Sequence, residues 1–262
     1  MRFLCFVFLI ACHTAAVSLD APDERRDDEI YRGVADHDAH GAVVMLAHAT
    51  EGGFSLCTAT LVAPDVLLTA AHCVLRDPPT YVSCGGSVSD KVLQPVLADT
   101  LFVHTGPKPK FEAEPAAWGR RLFTPKLTTL CDRDVAVLVL DRALPIEPLA
   151  IASALPDGDV TAVGYGLTEK GKSGERRRRN GMRILQTGPV SDASIWLGAR
   201  ELETTAGPCS GDSGGPLLSE DSEVIGVVSR GGSCKRDYGN IYGNASAHRA
   251  LVDEAIAWAE RH

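Results

Sequence analysis

A chain of 262 residues, 45% of them hydrophobic, is long enough to bury a sizeable core, as one large domain or as two packed halves. Its formal net charge of −8 argues against a nucleic-acid partner, because phosphate binding draws on clustered basic charge and only Arg176 to Arg179 forms such a cluster.

Residues 1–16 read as a secretory signal. Met1-Arg2 gives the positive start, Phe3 to Ala11 the short apolar stretch, and Thr14-Ala15-Ala16 the small residues for cleavage. Nine apolar residues are too few to span a bilayer. Leu9-Ile10-Ala11-Cys12 also resembles a bacterial lipoprotein cleavage box, so a membrane would be met only through a lipidated Cys12. The signal ahead of that box is short, which ranks this reading behind ordinary secretion to the extracellular or periplasmic space. Six cysteines then remain, Cys57, Cys73, Cys84, Cys131, Cys209 and Cys234. An even number in a secreted chain points to disulfides, although six cysteines allow fifteen pairings. No two are spaced as CxxC, so neither a metal nor another cofactor is expected.

Asp20 to Glu29 is charged and poor in apolar residues, which predicts an exposed segment, and order is expected to begin at Ile30. Short apolar or alternating runs follow, separated by Gly, Pro and Asp: Ala42 to Ala47, Thr58 to Val62, Val66 to Thr69, Val135 to Leu140, Val160 to Val163, Met182 to Leu185 and Val224 to Ser229. Many short strands between turn signals predict an all-β barrel or sandwich. Pro107 to Pro125 reads as a long loop or insertion, and Asp141 to Pro148 as the link between two halves. Glu169 to Gly181, with its four arginines, reads as a solvated loop open to proteolytic nicking. In Ser246 to Arg261, Ala247, Leu251, Ala255 and Trp258 fall at helical spacing, which predicts a C-terminal amphipathic helix used for packing.

Three stretches carry chemistry. Gly207 to Leu217, GPCSGDSGGPL, holds Ser213 among residues that turn sharply; Thr69 to Cys73, TAAHC, offers the imidazole of His72; Arg133 to Leu140 places Asp134 ahead of an apolar strand. A serine hydroxyl is a poor nucleophile unless a base takes its proton, and the base needs a carboxylate to hold its tautomer. Asp132 is a second candidate for that carboxylate, but Asp134 directly precedes the strand. His37 and His40 are the other upstream histidines, in a polar stretch that reads as a solvated loop rather than a metal site.

In that order, TAAHC, RDVAVLVL and GDSGGP resemble the three catalytic motifs of trypsin-like (chymotrypsin-fold) serine proteases, and the likeness runs from about Ile30 to the final helix. The resemblance implies two six-stranded antiparallel β-barrels, about 30–145 and 146–245, with a C-terminal α-helix and the site between the barrels. It implies a secreted endopeptidase acting through His72, Asp134 and Ser213, with an oxyanion hole from the backbone N–H groups of Gly211 and Ser213. The expected partners are a protein or peptide substrate and an activating protease, and a monomer is expected.

The resemblance also implies the disulfides Cys57–Cys73 and Cys209–Cys234. This leaves Cys84 with Cys131, a bridge that is not a general family feature. Ile30-Tyr31-Arg32-Gly33 resembles the family's mature start, so residues 17–29 read as a propeptide cut between Glu29 and Ile30, after which the Ile30 ammonium would pair with Asp212. Removing residues 1–29 takes away three basic and six acidic residues and moves the formal charge to −5. Gly207 would lie at the floor of the primary pocket, where trypsins carry aspartate; Ser229, Arg230 and Gly231 would form its wall and Asn240 lie near its base. A small or apolar side chain is the expected occupant, although Asp237 could add negative charge.

Two other readings compete. A catalytically silent homologue would act by binding, but all three triad members are present. Gly211 to Gly215 also satisfies GxSxG, yet α/β-hydrolases run serine, acid, histidine, and this chain runs His72, Asp134, Ser213. Asn244-Ala245-Ser246 is a glycosylation sequon.

Overall fold

The computed structural model describes residues 30, 33–50, 53–79, 82, 84, 92–166, 174–191, 196–231 and 239–262. The signal, the propeptide, Cys12, Cys234 and Asp237 lie outside these residues. In chain order the strands are β1 (Val34–Ala35), β2 (Val43–Thr50), β3 (Gly53–Ala63), β4 (Val66–Thr69), β5 (Leu101–His104), β6 (Ala117–Phe123) and β7 (Ala136–Leu140). The second half contributes β8 (Val160–Gly164), β9 (Arg177–Met182), β10 (Ile184–Thr187), β11 (Val190–Ser191), β12 (Trp196–Leu197), β13 (Glu201–Thr204), β14 (Pro216–Leu218), β15 (Val224–Gly231) and β16 (Asn240–Asn244). Helix α1 (Arg249–Ala259) ends the chain, after a 3-10 turn over Ser246–His248.

Strands β2-β3-β4-β7-β6-β5 close into an antiparallel barrel. The runs VLLT of β4 and AVLVL of β7 are buried at every position, because the barrel core takes one face and α1 packs on these strands from outside. That packing buries Val252 and Ala255 and sets Trp258 against Phe123, with ring centroids 6.2 Å apart. The second sheet runs β1-β9-β8-β14-β15-β16-β13-β10. Only Arg183 separates β9 from β10, so the sheet curls back until its two sides meet in one run of chain, with β1 added outside β9. A separate apolar cluster fills it, including Val160, Ala162, Met182, Leu202, Leu217, Ile225, Val228 and Tyr242.

Two sequence expectations are corrected. Pro107 to Pro125 is not all loop: AWGRRLF forms β6, a stave of the closed barrel, with Ala117, Gly119 and Phe123 buried. The four arginines are not a solvated loop either. Arg177 to Arg179 lie in β9, and Arg176 is 0% exposed. Its Nε donates to Asp36 at 2.8 Å, Nη2 to Asp38 at 2.6 Å, and Nη1 to the Val43 carbonyl at 3.0 Å and the Tyr165 hydroxyl at 3.2 Å. A buried guanidinium is tolerable only when its donors are satisfied, and acids from the segment after Ile30 satisfy them. His40 joins the same network through Nδ1 to Asp36.

Candidate active site

The register of β4 against β7 builds the first half of the site. Thr69 pairs with Ala136, so the chain leaving β4 and the chain entering β7 lie side by side. His72, in the 3-10 turn Ala71–Val74, is thereby set against Asp134. The Asp134 carboxylate is buried and accepts three donors: the His72 N–H at 2.8 Å, His72 Nδ1 at 2.8 Å and the Ser229 hydroxyl at 2.6 Å. With Nδ1 held by the carboxylate, Nε2 is left as the imidazole's working nitrogen. Burial pulls the imidazole's proton affinity down, but attraction to Asp134 and their hydrogen bond outweigh it, and the net shift is upward. Asp132 does not compete: it carries φ 61°, and its Oδ1 accepts the Arg200 N–H at 2.7 Å.

The Ser213 turn is fixed to the first barrel. The Ser213 carbonyl accepts the Thr58 N–H at 2.8 Å and lies 3.5 Å from Cys73 Sγ, on the residue after His72. Thr58 Oγ1 donates to the Gly211 carbonyl at 3.0 Å and accepts the Tyr165 N–H at 3.1 Å. Gly214 carries φ +80°, and a Cβ there would overlap Thr69 Oγ1 and the Thr58 carbonyl, so only glycine lets the turn approach this closely. Gly211 carries φ +95°. Asp212 is fully buried, and its carboxylate accepts N–H groups from Gly166 at 2.8 Å and Cys209 at 2.9 Å. Burial outweighs these bonds and pushes its pKa up to about 7. Ile30 is likewise 0% exposed.

The residues assigned from sequence to one pocket divide. A Cβ on Gly207 would lie 2.7 Å from Met182 Sδ and 2.9 Å from its Cε, so Met182 occupies the direction a side chain at 207 would take. Asn240 accepts the Gly207 N–H at 3.0 Å and donates to the Pro208 carbonyl at 3.2 Å, bracing the same backbone. Ser229, Arg230 and Gly231 instead line a cleft of about 420 Å³ together with His72, Leu130 and Ile241. That volume suits a side chain or small ligand. Ser229 also gives its hydroxyl to Asp134, a role the alternation of its strand does not reveal. Arg230 makes a two-pronged pair with Glu201, a residue that sequence reasoning did not single out.

Cys57–Cys73 and Cys84–Cys131 are disulfides, and Cys209 is also disulfide-bonded; its expected partner Cys234 lies outside the described residues. Two clusters have metal-like spacing, Cys57 with His72 and Cys73, and Cys84 with Cys131 and Glu201. Their cysteines are spent in disulfides and lack the thiolate charge a metal ion needs. Asn244 of the sequon is half-buried, and its Oδ1 accepts from the Ser246 N–H at 3.1 Å and the Ser246 hydroxyl at 2.9 Å.

This arrangement has a counterpart among known proteins, for the trypsin family model matches residues 32–251. The chain belongs to the trypsin family. It is 30% identical over 225 residues to the vitellin-degrading protease of Bombyx mori, covering 78% of this chain and 77% of that protein. Trypsin eta of Drosophila melanogaster is 32% identical over 216 residues, 75% of each. Glucanase inhibitor protein 3 of Phytophthora infestans is 27% identical over 230 residues, 80% of this chain and 78% of that protein. Trypsin-family membership fits the mostly-β architecture, and it makes this chain a relative of named proteases and of one named inhibitor.

Proposed function

We propose that this trypsin-family chain is a secreted serine endopeptidase, made as a zymogen, that cleaves peptide bonds through an acyl-enzyme on Ser213. The observation that carries this reading is the buried Asp134 carboxylate bonded to His72 Nδ1, with the Ser213 turn docked on the residue after His72. In the proposed reaction, Nε2 of His72 takes the Ser213 proton as the oxygen attacks the substrate carbonyl, then returns it to the leaving amine. Asp134 holds the tautomer and stabilises the imidazolium; its upward pull on the imidazole's proton affinity is the ground-state sign of that stabilisation. The N–H groups of Gly211 and Ser213 would receive the oxyanion, and each such donor is typically worth about 3 kcal/mol. Water repeats the sequence to release the acyl group.

Cleavage between Glu29 and Ile30 would make the α-amino group of buried Ile30 an ammonium, a counter-charge for Asp212, whose carboxylate accepts the Gly166 and Cys209 N–H groups. Gly207 backed by Met182 offers no carboxylate for a basic substrate side chain, and it supports a small or apolar one. Among the described residues no helix is long and apolar enough to cross a membrane, and secretion rests on the leader of residues 1–16.

A second reading, a binding protein on the same scaffold, is favoured by the likeness to a protein named as a glucanase inhibitor. A peptide library decides between the two. Chain beginning at Ile30 should hydrolyse a subset of peptides while its Ser213→Ala variant does not. Equal turnover by both would end the serine mechanism, and turnover by neither would favour the binding protein.

A further inference from the structure

Close to Asp134, the second half of the molecule holds a largely buried ion pair, Glu201 with Arg230, whose carboxylate also bonds the first half through the Asp132 N–H. The Glu201 side chain, at the start of β13, is 1% exposed, and its two oxygens take four N–H donors. Oε1 accepts Arg230 Nη1 at 2.5 Å and the Asp132 N–H at 3.1 Å; Oε2 accepts Arg230 Nη2 at 2.7 Å and the Gly198 N–H at 2.8 Å. Asp132 returns the tie by accepting the Arg200 N–H. The loop that carries Asp134 into β7 of the first barrel is thus tied in both directions to Arg200 and Glu201, at the start of β13 in the second half. Arg230 stands beside Ser229 on β15, and its Nη1 lies 3.5 Å from the Ser229 hydroxyl that donates to Asp134. The Cys84–Cys131 disulfide covers the pair: Arg230 Nη2 is 3.0 Å from Cys84 Sγ, and both sulfurs are 3.9 Å from Glu201 Oε2.

We propose that Glu201, acting through Arg230, is a positioning residue that holds the Asp134–His72 couple and sets the proton affinity of its imidazole. The proposal rests on the protease reading above. Intact, the pair is neutral and adds little net field at His72. Breaking it from either side leaves one uncompensated charge next to the chain of bonds that ends on the imidazole, and a buried, unpaired charge acts strongly on its neighbours. Among the described residues, the other charged or titratable groups near this site include Asp132, Arg133, whose Nη1 donates to the Lys126 carbonyl, Arg200 and His248. Burial holds His248 down to about 4, so it is neutral where His72 titrates. Just after the turn that carries His72, Arg76 and Asp77 are exposed and screened by solvent.

Two substitutions of opposite sign test this. Glu201→Gln leaves Arg230 positive and should lower the His72 pKa by about half a unit. Arg230→Met removes the positive partner from the Glu201 carboxylate and should raise the His72 pKa by about as much. The double variant should return close to the parent, and Arg230→Lys should stay near it. Imidazole titration by NMR reads these shifts in the chain beginning at Ile30, and the acid limb of kcat/KM should move with them. Single shifts in the same direction, or none while Tm falls, would make the pair structural only and overturn the proposal. If Glu201→Gln fails to fold, the sign of the Arg230→Met shift against Arg230→Lys still decides. A parent that cleaves no peptide defeats the protease reading, while the titration still reports on the pair.

Discussion

At the scale of single residues, position matters more than identity. Asp134 and Asp132 are the same side chain two residues apart, yet one meets His72 and the other meets Arg200. Replacing Asp134 with Asn keeps the shape but offers the imidazole a mixed donor and acceptor; kcat should fall by about 10⁴-fold with KM little changed, as in comparable triads. Asp212 makes a prediction about pH. Its folded pKa of about 7 exceeds the ordinary aspartate value of 3.8, so the folded uncleaved chain holds a proton that the unfolded chain has released. Its contribution to stability should therefore decline as pH rises from about 4 to about 7, by at most about 1.4 kcal/mol per pH unit, and return on acidification. Thermal melts of uncleaved chain should show this slope, and Asp212→Asn should flatten it. Cleavage before Ile30 should remove the slope by supplying an ammonium; a mature enzyme with the same slope would count against that pairing. The Ser213 turn was legible because its signal is local, a run of small residues around one hydroxyl. The Ser229 hydroxyl was not, because its partner Asp134 is 95 positions away in sequence.

At the scale of elements, the sequence was read best where the pattern is set by burial and worst where burial is bought with charge. The apolar runs of β4 and β7 were evident because both faces are covered. Strand β6 was hidden between flanking prolines, although Ala117 and Gly119 alternate inward against Trp118 and Arg120. Strand β9 was hidden by the arginine run that leads into it; Arg176, just ahead of the strand, meets acidic partners, Asp36 and Asp38, from about 140 residues upstream. Removing one member of a buried pair strands the other, so Arg176→Ala should destabilise the chain by about 3 to 5 kcal/mol, and the double variant with Asp36→Asn should cost less than the sum. Denaturant unfolding measures both. Since 177–182 is paired strand, limited proteolysis of the folded chain should spare the arginines that their composition advertises as cleavage sites.

At the scale of the whole molecule, a closed barrel and a curled sheet meet where their chain ends deliver His72, Asp134 and Ser213. Alternating short strands predicted a mostly-β architecture, and the three motifs are the basis for proposing these three residues as the site. The seam between the halves was out of reach of sequence, because Thr58, Glu201 and Arg230 gain meaning only when distant segments come together. The central claim is that this seam activates one hydroxyl, and covalent trapping tests it most directly. A phosphonate that mimics the tetrahedral intermediate should label the chain beginning at Ile30 once, with the adduct mapped to Ser213 by peptide mass, and His72→Ala should slow labelling at least about 10³-fold. Labelling at another residue, or at the same rate without His72, would contradict the account.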